Sequence, residues 1–144
     1  METNPKDHVA TPAYLWRYIR EQFGEVFDPC PLNRRPELDG LSIPWEPITY
    51  VNAPYSKQRD WTKKAYEEFQ NGNTIVMLAK LSVLTLQYFR PLAAEAELRF
   101  INHRIKFPGF DYPAFFNSVL IVWQPGNPRR GRFSIINGRP GSAS

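Results

Sequence analysis

Apolar positions recur every four residues in "TPAYLWRYIREQFG", where Leu15, Ile19 and Phe23 form one stripe. That spacing predicts a helix over 11–23, with Thr11 as N-cap, Pro12 at the first position and Gly24 as the stop. A second stripe runs through "KQRDWTKKAYEEFQNG", with Trp61, Ala65 and Phe69 four apart and Gly72 ending the helix. Between them, "EVFDPCPLNRRPELDGLSIPWEPITYV" is dense in proline. It predicts a short strand around Val26 and Phe27, a long irregular loop, and a strand ending at Val51. "NTIVMLAK" and "SVLIVWQ" are near-continuous apolar runs, the pattern of strands covered on both faces. "LSVLTLQYFRPLAAEA" reads as helical up to the residue before Pro91, and "ELRFINHRIKF" as a strand. Such alternation predicts an α/β sandwich with a largely parallel sheet, whose ligands sit at the carboxyl ends of the strands.

Composition narrows the class. With 144 residues, 42% of them hydrophobic, the chain suffices for one core and not for two. A single cysteine, Cys30, cannot pair internally, and two histidines are too few for a zinc cluster, so no metal is expected. No apolar run approaches the roughly 18 residues of a membrane span, and "METNPKDHVA" lacks the core of a signal peptide, which predicts a soluble, cytoplasmic protein. The formal charge of +4 resides wholly at the C-terminal end, where Arg129, Arg130, Arg132 and Arg139 face no acid. Residues 1–123 are therefore expected to form the domain and 124–144 a basic, Gly/Pro/Arg-rich tail. Such a tail suits phosphate, and equally suits plain solvation.

The chemistry concentrates in "ITYVNAPYSKQRDW", where a strand meets a rigid polar corner. Pro54 removes a backbone donor and fixes φ, so the strand stops and the carbonyl of Ala53 is left outside the ladder. The side-chain oxygen of Asn52 and that carbonyl can each accept one N–H of a base's exocyclic amine, while Tyr55 stacks on the ring. An Asn-Pro turn with a core-capping tyrosine would give the same four letters.

The corner does not stand alone. "TP" opens the first helix, "FDPCPLN" follows the first strand, and "LDGL" precedes a tryptophan. "VNAPYS", a tryptophan-led helix, "TIVML", "RIKF" and "FNSVLIVW" then follow in order. Over residues 7–123 this series resembles the small, phage-type DNA adenine methyltransferases of the Dam family, which carry Asn-Pro-Pro-Tyr at the strand end. The resemblance implies a minimal Rossmann-like methyltransferase fold, mostly parallel with flanking helices, that moves a methyl group from S-adenosylmethionine to the exocyclic amine of a flipped adenine in DNA. It implies that Asn52, Ala53, Pro54 and Tyr55 are the catalytic corner. Ala53 departs from the family's proline, which loosens the corner while leaving the backbone carbonyl it needs.

The resemblance also implies a cofactor site along Thr11, Pro12, Asp28, Pro29, Cys30, Asn33, Asp39 and Asn52. Asp28 would meet the methionine ammonium or a water beside it. Thr11 has an N-cap role as the alternative, and Asp28 and Asp39 have turn-shaping roles. The glycine-rich turn of many relatives is absent, with prolines and Cys30 in its place. For DNA, Arg104 and Lys106 lie two apart on one strand face, Lys57 and Arg59 follow the corner, and Arg129 and Arg130 head the tail. Ordinary solvated faces would explain the same charges. Cys30 has no base partner in the sequence, which argues against a nucleophilic role and so against cytosine-type covalent chemistry.

Three functions are therefore in play. One is a site-directed or relaxed-specificity adenine methyltransferase on duplex DNA, of phage or prophage type in a bacterial host cell. The others are a degenerate module binding nucleic acid or cofactor, and an enzyme acting on RNA or single strands. No separate target-recognition domain fits in the chain, so a homodimer is the assembly that would extend its reading of DNA.

Overall fold

The computed structural model describes residues 7–32 and 39–137; Asn33, expected in the cofactor site, lies outside them. Three helices, α1 (Ala13–Phe23), α2 (Gln58–Gln70) and the single-turn α3 (Arg90–Ala93), accompany five strands. The strands are β1 (Ile48–Asn52), β2 (Thr74–Lys80), β3 (Glu97–Ile101), β4 (Ser118–Trp123) and β5 (Phe133–Ile136), in the spatial order β1-β2-β4-β3-β5. No described helix is long and apolar enough to cross a membrane.

The sheet is mixed, which corrects the expectation of a largely parallel one. β1 with β2 and β3 with β5 pair in parallel, whereas β4 runs antiparallel to both β2 and β3. Four strands thus share one direction and β4 alone is reversed. A strand buried on both faces carries the same apolar run in either sense, so sequence pattern cannot distinguish them.

Alternation along the central strands divides the core into two layers. Ile75, Met77 and Ala79 of β2, with Val119, Ile121 and Trp123 of β4, meet Trp61 and Ala65 of α2. Val76, Leu78, Leu120 and Val122 face the other way, toward Leu15 and Ile19 of α1. Period-two alternation along β1 turns Tyr50 and Asn52 toward the α1 layer, and Val51 toward α2. The shared direction of β1, β2 and β3 gathers their carboxyl ends at one rim. That rim holds the Asn-Ala-Pro-Tyr corner, Lys80 and the 102–117 loop.

Other expectations shift. Val26 and Phe27 form no full strand: Phe27 makes one parallel bridge to Thr49. Residues 81–85 form a 3-10 turn, and Pro91 opens α3 instead of ending a helix, since a missing N–H costs nothing in a first turn. β3 ends at Ile101, so Arg104 and Lys106 stand in irregular chain. Residues 124–137, expected as part of a tail, contribute β5 to the sheet. Glu97 pins this segment by accepting from Asn127 Nδ2 (3.0 Å) and Arg129 Nε (3.1 Å).

Candidate functional site

β1 ends at Asn52; Ala53 and Pro54 are buried, and a 3-10 turn, Tyr55–Lys57, leads into α2. Over this corner lies a strap, residues 7–11, held by six hydrogen bonds. The Asp7 carbonyl accepts from Tyr55 N–H (2.8 Å), and its carboxylate accepts from Ser56 N–H (2.8 Å) and Ser56 Oγ (2.7 Å). His8 Nε2 donates to the Asn52 carbonyl (2.8 Å). Asn52 Nδ2 donates to the Val9 carbonyl (2.8 Å) and to Thr11 Oγ1 (3.1 Å).

The last two bonds fix an orientation. A backbone carbonyl only accepts, so the Val9 oxygen requires the nitrogen of the Asn52 amide, and Oδ1 must point the opposite way. Asn52 is 6% exposed, and its Oδ1 accepts no hydrogen bond among the described residues. It is not among the fully sealed unpaired atoms either, so it is open to a ligand. Thr11 Oγ1 is in turn 2.7 Å from the hydroxyl of Tyr50, which is wholly buried and whose ionisation burial suppresses. Thr11 was expected as the N-cap or against a cofactor. Pro12 holds the cap position, and Thr11 spends its hydroxyl on the corner.

Tyr55 packs its ring edge-on to Phe116 (5.5 Å, 83°), and the Lys80 ammonium lies over both rings, 4.3 Å from the first centroid and 4.5 Å from the second. Burial, and secondarily the charge of Asp7, raises the Tyr55 pKa, so the ring remains a neutral phenol. A cavity of about 230 Å³ opens here, lined by Val9, Tyr55 and the loop Phe107–Phe116. Drug-sized ligands occupy roughly 300–1,000 Å³, so this volume matches a single base better than a whole nucleoside cofactor.

On the other side of the corner, Phe27 runs beside β1, with Tyr50 N–H donating to its carbonyl (2.9 Å). Asp28 therefore emerges level with Tyr50. Its Oδ1 accepts from Cys30 N–H (2.9 Å), and no ion pair engages it among the described residues. Burial raises its pKa despite that bond. Pro29 and Cys30 are buried beneath, and Cys30 Sγ lies 3.9 Å from His8 Nε2. The thiol thus has a histidine neighbour that the sequence does not announce, but that nitrogen is already committed as a donor to Asn52. Gly40 presses on this loop so tightly that a Cβ would fall 2.1 Å from the Pro29 carbonyl, which brings Asp39 alongside. Both Asp39 oxygens serve its own turn, at Leu41 N–H and Ser42 Oγ. Trp45 is core, donating to the Gly40 carbonyl (2.7 Å) and stacking on Trp61.

Lys57 and Arg59 are exposed just past Tyr55, with Arg59 over the Tyr88 ring (5.6 Å). Arg104 and Lys106 are exposed on either side of buried Ile105, at the same rim. Arg129 and Arg130 stand apart at the β3–β5 side, bound to Glu97 and Glu95. Asp7, His8, Val9, Tyr50, Lys80 and Phe116 are the neighbours of the corner that sequence reading missed. Tyr50 sits two residues before Asn52 on β1, and the others reach the corner across 25 to 61 positions and leave no local pattern. No group of three His, Cys, Asp or Glu suited to a metal occurs among the described residues.

Comparison with curated proteins and with solved structures gives no match. A family model described as DNA N-6-adenine-methyltransferase (Dam) matches residues 1–140, nearly the whole chain. With that match along its length, the chain belongs to the Dam family of DNA N-6-adenine-methyltransferases.

Proposed function

We propose that this chain methylates N6 of an adenine flipped out of DNA, using S-adenosylmethionine, at the corner formed by Asn52, Ala53, Pro54 and Tyr55. The observation that carries the reading is the orientation of the Asn52 amide: its nitrogen is tied to the strap and its oxygen accepts no hydrogen bond among the described residues. Asn52 Oδ1 and the Ala53 carbonyl accept the two N6–H groups, and the ring stacks on Tyr55 within the adjoining cavity. Holding both hydrogens in a plane frees the nitrogen lone pair to leave that plane, which is catalysis by positioning and preorganised dipoles. Ala53 relaxes the backbone where the family carries proline, and the six-bond strap restores the lost rigidity from outside.

The residues on the β1 side fit the cofactor. Asp28 is a half-buried carboxylate without an ion-pair partner among the described residues, an environment that favours a cation such as a methionine ammonium. S-adenosylmethionine, when bound, supplies an electrophilic methyl group on a sulfonium. Asn52, between Asp28 and the cavity, is the residue both ligands would share. Lys57 and Arg59, exposed just past Tyr55, and Arg104 and Lys106, exposed on the 102–117 loop, would serve as phosphate contacts, and four co-directed strands suit a reduced Rossmann-like core.

Titration of S-adenosylmethionine followed by mass spectrometry of unmethylated plasmid tests this. Binding with N6-methyladenine that vanishes in Asn52→Ala supports it. Binding by folded protein with no product on any DNA or RNA refutes the enzymatic reading and leaves a binding module.

A further inference from the structure

Two aromatic side chains point away from the protein at the mouth of the cavity. Phe115 is 90% exposed and Tyr112 80% exposed, far beyond the 37–48% of Leu32, Leu81 and Leu86. A lone exposed hydrophobic residue is ordinary on a protein surface. Phe115 differs because the chain on both sides of it is fixed. Ala114 N–H donates to the Ile105 carbonyl (2.9 Å), and Phe116 packs on Tyr55 (5.5 Å) and Phe107 (6.3 Å). The residue between those two anchors is held outward, one position from the partner of the ring proposed to stack the base. The Ala114–Ile105 bond also sets it beside exposed Arg104 and Lys106, and the Lys80 ammonium lies over Phe116. Asp111 is the only acid on this loop. An apolar, planar side chain ringed by cations is complementary to a nucleic acid, whose faces are aromatic and whose rim is anionic.

We infer that Phe115 is the wedge that enters the base stack of duplex DNA at the place the flipped adenine vacates. The inference rests on the methyl-transfer reading and adds to it how this chain could open a duplex. Extruding a base removes its stacking on both neighbours, and an inserted side chain restores part of it. Tyr112, between exposed Asp111 and Pro113, has no comparable anchors and is assigned no such role.

The experiment compares wild type, Phe115→Ala and Phe115→Trp on one unmethylated plasmid digest, used native and after heat denaturation. Exposure of Phe115 leaves the alanine variant free to fold. Loss of one aromatic–base stack predicts a fall of roughly 5- to 150-fold in kcat/KM on native DNA. The rate on denatured DNA, whose adenines need no extrusion, is expected to fall by a clearly smaller factor, since Phe115 also lines the mouth of the cavity, and Phe115→Trp to restore the native rate. Equal loss on both substrates, or no loss on native DNA, overturns the wedge. So does wild type that methylates only denatured DNA, an outcome that leaves methyl transfer intact. If Phe115→Ala instead converts a dimer to a monomer on size exclusion and slows both substrates alike, the patch is a contact between copies. Wild type that methylates neither substrate removes the methyl-transfer reading itself.

Discussion

Replacing Thr11 by valine keeps the shape of the side chain and deletes one oxygen that two buried groups depend on. Thr11 Oγ1 accepts one N–H of Asn52 and pairs with the hydroxyl of Tyr50, whose ring is wholly buried. A buried polar group left without a partner costs about 1–3 kcal/mol, so stranding both predicts roughly 2–5 kcal/mol of lost stability. Thr11→Ser retains the oxygen and is expected to lose less than about 1 kcal/mol. Urea denaturation measures both. The catalytic effect is separable from stability. Asn52 keeps its bond to the Val9 carbonyl, so its amide stays in place but can tilt, and kcat should fall about tenfold, a 1.4 kcal/mol change. The dissociation constant for S-adenosylmethionine should move much less than kcat, because the hydroxyl faces Asn52 and Tyr50 and reaches the cofactor only through the Asn52 amide. A valine variant with unchanged kcat and weakened cofactor binding would refute the bracing role and return Thr11 to the cofactor site. A serine variant as impaired as valine would show that the oxygen is not what matters.

Asp28→Asn should separate stability from binding. Burial raises the Asp28 pKa, so the folded chain holds its proton more tightly than the unfolded chain and loses stability as pH rises from the unfolded value through the folded one. Asparagine removes that penalty: at pH 7 the melting temperature should rise while S-adenosylmethionine affinity falls at least about tenfold, read by scanning fluorimetry and calorimetry. Glu97 behaves oppositely. Burial acts to raise its pKa, but bonds from Asn127, Arg99 and Arg129 outweigh it and hold the carboxyl below the usual glutamate value of about 4.3. That stability is present above about pH 4.3 and is lost as pH falls through the lower folded value, so urea midpoints of wild type should drop steeply there. Glu97→Ala should flatten the drop and cost about 3 kcal/mol at pH 7, since it leaves half-buried Arg99 without a carboxylate, held by Tyr18, Gln22 and the Phe23 ring.

How legible each part was follows from how local its cause is. α1, α2, β2 and β4 announce themselves because burial of a stripe or a whole strand writes a repeating pattern into ten or so consecutive residues. The direction of β4 does not, because a fully buried strand looks the same either way. β5 was hidden by its neighbours: the arginines before it read as a basic tail, for phosphate or for plain solvation, although Arg129 and Arg130 are bound to Glu97 and Glu95.

The corner at Asn52 is the most instructive case, since its four letters were legible and its mechanism was not. Sequence reading could judge rigidity only from the residues in the corner, and from there Ala53 looked like a loss. The bonds that hold the corner come from residues 41 to 49 positions earlier, whose only local signal is a threonine before a proline. Each strap bond meets a group that the missing proline would not have held: the Asn52 amide and carbonyl, and the Tyr55 and Ser56 N–H groups. Proline would stiffen φ at position 53 alone, whereas the strap fixes the direction of the Asn52 oxygen, which is the atom the chemistry needs. On that reasoning Ala53→Pro should change the rate little. Disrupting the strap with Asp7→Ala, which frees Ser56 and leaves position 53 untouched, should cost more, and plasmid methylation by the two variants side by side decides which of them carries the rigidity.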